Sequence, residues 1–143
     1  MRPDPRSGGA RGGAGLLMGR RRPIDRLEDI RSAAADVLAF TEGVNAITFV
    51  DLPKVDRRTW RALKNALAEI GEAVKDLPPD LATRHPKIDW RGFAGLHDIV
   101  THACFGLDMT RLWPTVTEEI PALLATVTVE LARHLREKEE SDP

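Results

Sequence analysis

The chain predicts an all-α bundle of four main helices plus one or two short ones. Three observations point there. Apolar residues recur at helical spacing in four separate segments, each bounded by a capping residue, a glycine or a proline. The single β-like run, "AITFV", is too short to seed a sheet. The length, 143 residues, fits one domain with one sizeable core.

In the first helix, "PIDRLEDIRSAAADVLAFTEG", Ile24, Leu27, Ile30, Ala34, Val37 and Leu38 mark the buried face. Pro23 suits its first turn and Gly43 its stop. "VNAITFVDLPKV" reads as a loop that Phe49 anchors onto the core. Asp56 caps the second helix, which buries Trp60, Leu63, Leu67, Ile70, Val74 and Leu77 and stops at Pro78 and Pro79. A short turn, "PDLATRH", follows. Asp89 caps a third helix over residues 90–104, loosened or kinked by Gly92 and Gly95 and ended by Phe105-Gly106. Asp108 caps "MTRLWPTVTEE", which Pro114 kinks, because proline removes a backbone donor and crowds the preceding turn. The last helix covers residues 120–138, with Ile120, Leu123, Leu124, Val127, Leu131 and Leu135 as its stripe.

Residues 1–22 differ in kind. They are rich in Gly, Arg and Pro and lack the apolar core of a secretory signal. They read as a disordered leader, with Met18 as an alternative start; residues 23–138 form the helical domain and residues 139–143 a solvated tail. The leader carries six arginines against one aspartate, whereas the rest carries 15 basic and 21 acidic groups. A net-acidic domain argues against strong non-specific nucleic-acid binding, which is largely phosphate neutralisation. The single cysteine excludes an internal disulfide framework and fits a reducing, cytoplasmic setting. No apolar run approaches the ~18 residues of a membrane span.

The chemistry concentrates in "AGLHDIVTHACFGLD", which holds His97, Asp98, His102 and Cys104. On a helix His97 and His102 lie about 140° apart around the axis, so they do not share a face. Asp98 and His102, four apart, do, and the carboxylate would orient the imidazole. Two imidazoles and an aspartate can cleave a phosphodiester without metal or other cofactor. One takes the ribose 2′-OH proton and the other assists the leaving oxygen. A metal site is the competing reading, but the spacing matches no strong ligand motif. The bland alternative is a helix with surface or interface histidines.

Several further segments, in order and with the right gaps, resemble the HepT-like group of HEPN proteins. They are "LEDI", "TEG" and the Phe49 region, "IGEAVKDL", "RHPKIDWRGFAGL", "FGLDMTRLWPTV" and "EEIPAL", together spanning residues 24–135. These proteins are the toxin halves of toxin–antitoxin pairs with a minimal nucleotidyltransferase. The resemblance implies a HEPN-like bundle, a symmetric homodimer with its active site at the dimer cleft, RNA as substrate, and a nucleotidyltransferase antitoxin as partner. The family motif reads Arg-Asn-x-x-x-His-x-Tyr. Its Arg and His serve RNA cleavage, and its Tyr receives nucleotides from the transferase. Here His102 matches the catalytic His, His97 stands in place of the Arg, Asp98 in place of the Asn and Cys104 in place of the Tyr.

Arginine stays charged and grips phosphate with a planar fork, whereas histidine, with an ordinary pKa of about 6.5, offers fewer donors. The exchange implies a loss on the order of 10²-fold if the Arg acts as an oxyanion donor. With no tyrosine in the chain, tyrosine nucleotidylation is excluded. Two functions remain open: a metal-independent endoribonuclease toxin with a degenerate motif, or a catalytically inactive HEPN-fold binding partner of the nucleotidyltransferase. Elsewhere, Trp60, Trp90 and Trp113 read as core or dimer packing. Glu72 either supports the cleft or is an exposed helix glutamate. His85 reads as a loop residue, and His134 as a cation near the end of the last helix.

Overall fold

A computed structural model describes residues 22–102 and 106–141. Its elements are α1 (Pro23–Phe40), α2 (Ala46–Val55), α3 (Arg57–Lys75), α4 (Pro79–Arg84), α5 (Trp90–Ala94), α6 (Leu96–Thr101), α7 (Met109–Pro114) and α8 (Ile120–Ser141), with a π-helical turn (Thr115–Glu119) joining the last two. No strand occurs among the described residues, so the all-α bundle stands. The leader over residues 1–21 and Cys104 lie outside the described residues.

The first loop expectation is corrected: "AITFVDLPKV" is a helix. Asn45 accepts from the Thr48 amide at 2.9 Å, and the Thr48 hydroxyl accepts from the Asn45 amide at 3.0 Å. This reciprocal cap satisfies two end groups and overrides the β-branched run. Pro53 sits near the end of α2, where it removes only one late hydrogen bond. Phe49 is fully buried and packs against Trp113, the rings tilted at 45° with 4.9 Å between their centres, tying α2 to α7.

α3 is the central helix. It packs against α1 on one side and against α5, α6 and α2 elsewhere, while α8 closes over α1. Leu27, Ile30, Phe49, Leu63, Leu67, Ile70, Ile120 and Leu123 are fully buried at these contacts. Among the described residues, no helix is long and apolar enough to cross a membrane.

Three further differences have local causes. The third helix is two helices, broken at Gly95, and the second ends at Thr101 with His102 as its C-cap. Around Pro114 the chain does not simply kink: it widens into a π turn in which the Ile120 amide bonds to the Thr115 carbonyl. Pro121, one residue on, has no amide to give Thr117 and would crowd that carbonyl in an α turn; the wider turn relieves this. The last helix continues past residue 138 to Ser141, carried by good helix formers and an Arg133–Glu137 ion pair at 3.2 Å. His134 is therefore inside α8, bonded through Nδ1 to the Glu130 carbonyl at 2.9 Å. Leu135 is exposed, because nothing packs over that turn of α8 among the described residues.

α4 is pinned to α8 by a buried carboxylate. Glu130, its side chain 3% exposed, accepts from Arg84 at 2.7 and 3.3 Å and contacts His85 Nε2 at 2.6 Å. Arg84 also reaches Asp80 at 2.8 Å. Burial pushes the Glu130 carboxyl up, but the hydrogen bonds and charges of Arg84 and His85 more than offset that and hold it at about 2. His85, read from sequence as a bystander in a loop, is thus a fixed structural partner.

Candidate functional site

The site forms where α6 crosses α3. A methyl group on Gly71 of α3 would lie 2.7 Å from the His97 backbone nitrogen and 3.0 Å from the Phe93 carbonyl. Only glycine lets the two helices approach this closely, which explains a residue costing about 1 kcal/mol relative to alanine inside a helix. The next residue, Glu72, uses that approach: its carboxylate lies 3.3 Å from His97 Nδ1. Lys75, one turn on, lies 3.3 Å from the same Glu72 oxygen.

His97 is half-buried, and its Nδ1 faces two carboxylates, Glu72 and Asp98, each at 3.3 Å. Asp98 therefore accepts its hydrogen bond from its neighbour His97. It stands 4.0 Å from His102 Nδ1, the residue the i, i+4 spacing pointed to. His102 is oriented by backbone and hydroxyl instead: its Nδ1 lies 3.1 Å from the Asp98 carbonyl and 3.2 Å from Thr101 Oγ1. Thr101 in turn donates to the His97 carbonyl at 2.5 Å, which stitches the last turn of α6. The His102 side chain is 74% exposed.

The Asp98 carboxyl is lowered from its ordinary value, first by the hydrogen bond from His97 and then by the charge of Lys75, with lesser help from the charges of His102 and His97, against an opposing effect of burial. The site thus holds two histidines, two carboxylates and one lysine near a helix end. Among the described residues, no group of three or more His, Cys, Asp or Glu side chains is placed to hold a metal ion. The arrangement can exchange protons at two imidazoles.

His97, Asp98 and His102 are brought into one group. Glu72 joins them, whereas Gly71, Lys75 and Thr101 were not singled out from sequence. Gly71 carried a readable signal, a lone glycine within a strongly periodic helix. Lys75 and Thr101 carried none, since an exposed lysine and a threonine are ordinary on any helix.

The profile of the family described as "Ribonuclease HepT-like" matches residues 25–129. A protein named "Probable ribonuclease HepT" from Thermococcus cleftensis is 41% identical over 99 residues, covering 69% of this chain and 86% of the relative. A protein from Methanocaldococcus jannaschii, named for an inferred RNase activity, is 37% identical over 95 residues, covering 66% and 75%. One from Caldanaerobacter subterraneus, named likewise, is 40% identical over 82 residues, covering 57% and 72%. No solved structure matches the chain significantly. The profile runs through the residues that build this crossing, and it establishes that the chain belongs to the HepT-like ribonuclease family.

Proposed function

We propose that this chain is a metal-independent RNA endonuclease, the toxin half of a toxin–antitoxin pair, in which His102 is the central catalytic residue and His97 replaces the motif arginine. The observation that carries the reading is the contrast between the two rings. His102 is exposed and is held only at Nδ1 among the described residues, which leaves Nε2 for a substrate proton. His97 is held at Nδ1 by Glu72 and Asp98, which leaves its own Nε2 to donate to a phosphate oxygen when protonated.

In the reaction one imidazole takes the 2′-OH proton and O2′ attacks phosphorus. The P–O5′ bond breaks as the other imidazole protonates O5′. The product ends are a 2′,3′-cyclic phosphate and a 5′-hydroxyl. Glu72 is a positioning residue. Lys75 offsets part of the negative charge that Glu72 and Asp98 place beside a polyanionic substrate. Family membership supports a homodimer, a nucleotidyltransferase antitoxin as partner, and a cytoplasmic place of action.

The test is purified protein with total cellular RNA across about pH 5 to 8, with and without chelator, beside His102→Ala. Chelator-resistant cleavage that needs His102 is expected. His97→Ala should weaken it. Intact RNA at every pH overturns the reading and leaves the inactive binding partner of a nucleotidyltransferase.

A further inference from the structure

The domain is net acidic, yet its basic groups are not evenly spread. At the α2–α3 junction Lys54, Arg57, Arg58, Arg61 and Lys64 fall within eleven residues, with Asp56 the only carboxylate in that stretch. Asp56 is engaged in capping α3, accepting from the Thr59 amide at 3.1 Å and its hydroxyl at 2.7 Å. On α3, Arg57, Trp60, Arg61 and Lys64 lie within about 100° of one another around the axis, one continuous stripe. Among the described residues, none of Lys54, Arg57, Arg61 and Lys64 forms an ion pair.

The stripe has a cavity beside it. A space of about 250 Å³ opens between Lys54, Trp60 and Lys64 on one side and Val100, Gly106 and Leu107 on the other. Val100 lines the cavity from the buried face of α6, whereas His102, two residues on, lies about 160° away around the axis. Trp60 is half-buried, and the Lys64 ammonium sits 5.8 Å from its ring centre. That distance is at the outer limit of a cation–π contact, so Lys64 is weakly held and free to meet an anion.

We propose that Lys54, Arg57, Trp60, Arg61 and Lys64 form a single-stranded RNA subsite beside α6, the helix that ends at His102. The cations would follow the phosphates, and the Trp60 indole would stack one unpaired base. A space below the ~300–1,000 Å³ of pockets for drug-sized ligands suits a single planar base. A duplex does not fit this chemistry, because its bases are already stacked and its recognition runs along the groove. An acidic protein surface would use the cations but leave the indole and its cavity without a role. The choice of RNA as occupant rests on the ribonuclease reading, but the subsite's occupancy can be measured without cleavage.

The probe is a short fluorescent 2′-O-methyl oligouridylate, which lacks the 2′-OH needed for cleavage. The full chain is titrated at several salt concentrations beside Lys54→Gln/Arg61→Gln, two exposed changes. The leader's arginines are present in both proteins, so the difference reports the stripe. The double variant should bind about tenfold more weakly at low salt, and its salt slope should fall by about 1.4, near 0.7 per lost phosphate contact on a single strand. Tryptophan quenching on binding should disappear in Trp60→Phe, which keeps an aromatic ring for packing. Absent binding, or equal affinity and slope in the double variant, overturns the subsite. The latter outcome moves the stripe to an acidic protein partner. The two readings separate on the 2′-hydroxyl form of the oligonucleotide. Stripe-dependent binding without cleavage keeps the subsite and sinks the nuclease. His102-dependent cleavage that ignores the stripe does the reverse.

Discussion

Glu130 meets His85 and Arg84 at 2.6 and 2.7 Å, with its side chain 3% exposed. Glu72 and Asp98, each half or more exposed, meet His97 at 3.3 Å, and His102 stands 4.0 Å from Asp98. Both groups join histidine to carboxylate, yet the first closes on a buried carboxylate at short range while the second is loose and its carboxylates are open to solvent. A buried carboxylate must have its partners in place, because leaving it unpaired is costly. An exposed one can share its partners with a ligand. Burial of the carboxylate separates the two groups, since His85 and His97 themselves differ little in exposure.

That contrast can be broken most sharply at His102. His102→Ala should reduce RNA cleavage by about 10²–10⁴-fold, the range of a general acid–base group, with the melting temperature unchanged. A large fall in melting temperature would place His102 with His85 as a structural residue. The reverse pattern is expected at Glu130. Glu130→Ala should cost about 1–3 kcal/mol in urea unfolding, because it leaves Arg84 and His85 without the acceptor that ties α4 to α8, while the folded fraction keeps its cleavage rate.

The same group gives a pH signature. The folded Glu130 carboxyl is held at about 2, below its ordinary 4.5. Between those values an unfolded glutamate has taken a proton that the folded one has not. Its contribution is therefore fully present above about pH 4.5 and is lost as pH falls through about 2. The stability gap between wild type and Glu130→Gln, followed by acid unfolding, should be constant above pH 5 and shrink below 4.5. A gap that persists unchanged to pH 2 would show that the carboxylate is not the source.

Gly71→Ala should cost about 1–3 kcal/mol, the range for forcing an extra carbon into a packed contact, and should shift the His97 imidazole resonances in NMR spectra. Unaltered resonances would mean that α6 is not seated by that contact. The smallest effect is expected at Asp98→Asn, which should leave the melting temperature within error while altering the pH profile of cleavage.

Much of this was legible in the sequence. Period, caps and prolines located α1, α3, α4 and α8, and one fifteen-residue stretch held three of the five groups around the site. α2 was hidden because Ile47, Thr48 and Val50 speak for a strand and Pro53 against a helix; the Asn45–Thr48 cap decides it only once both side chains are placed. The break at His102 was hidden because helix ends depend on packing as much as on composition. The Glu130–His85 pair spans 45 residues, and no local periodicity links positions that far apart. Gly71 and Glu72 were visible as a segment, but their work on His97 needs the crossing of two helices to be seen.

The Gly71 crossing has one more consequence. Gly71 meets residue 97 at its amide nitrogen and β-carbon, atoms that nineteen of the twenty amino acids supply alike. That close contact is therefore indifferent to what lies beyond the β-carbon. A change of side chain at this position keeps the Gly71 contact and alters only the one with Glu72, so the seating of the helix and the charge held beside α3 rest on separate atoms of the same residue.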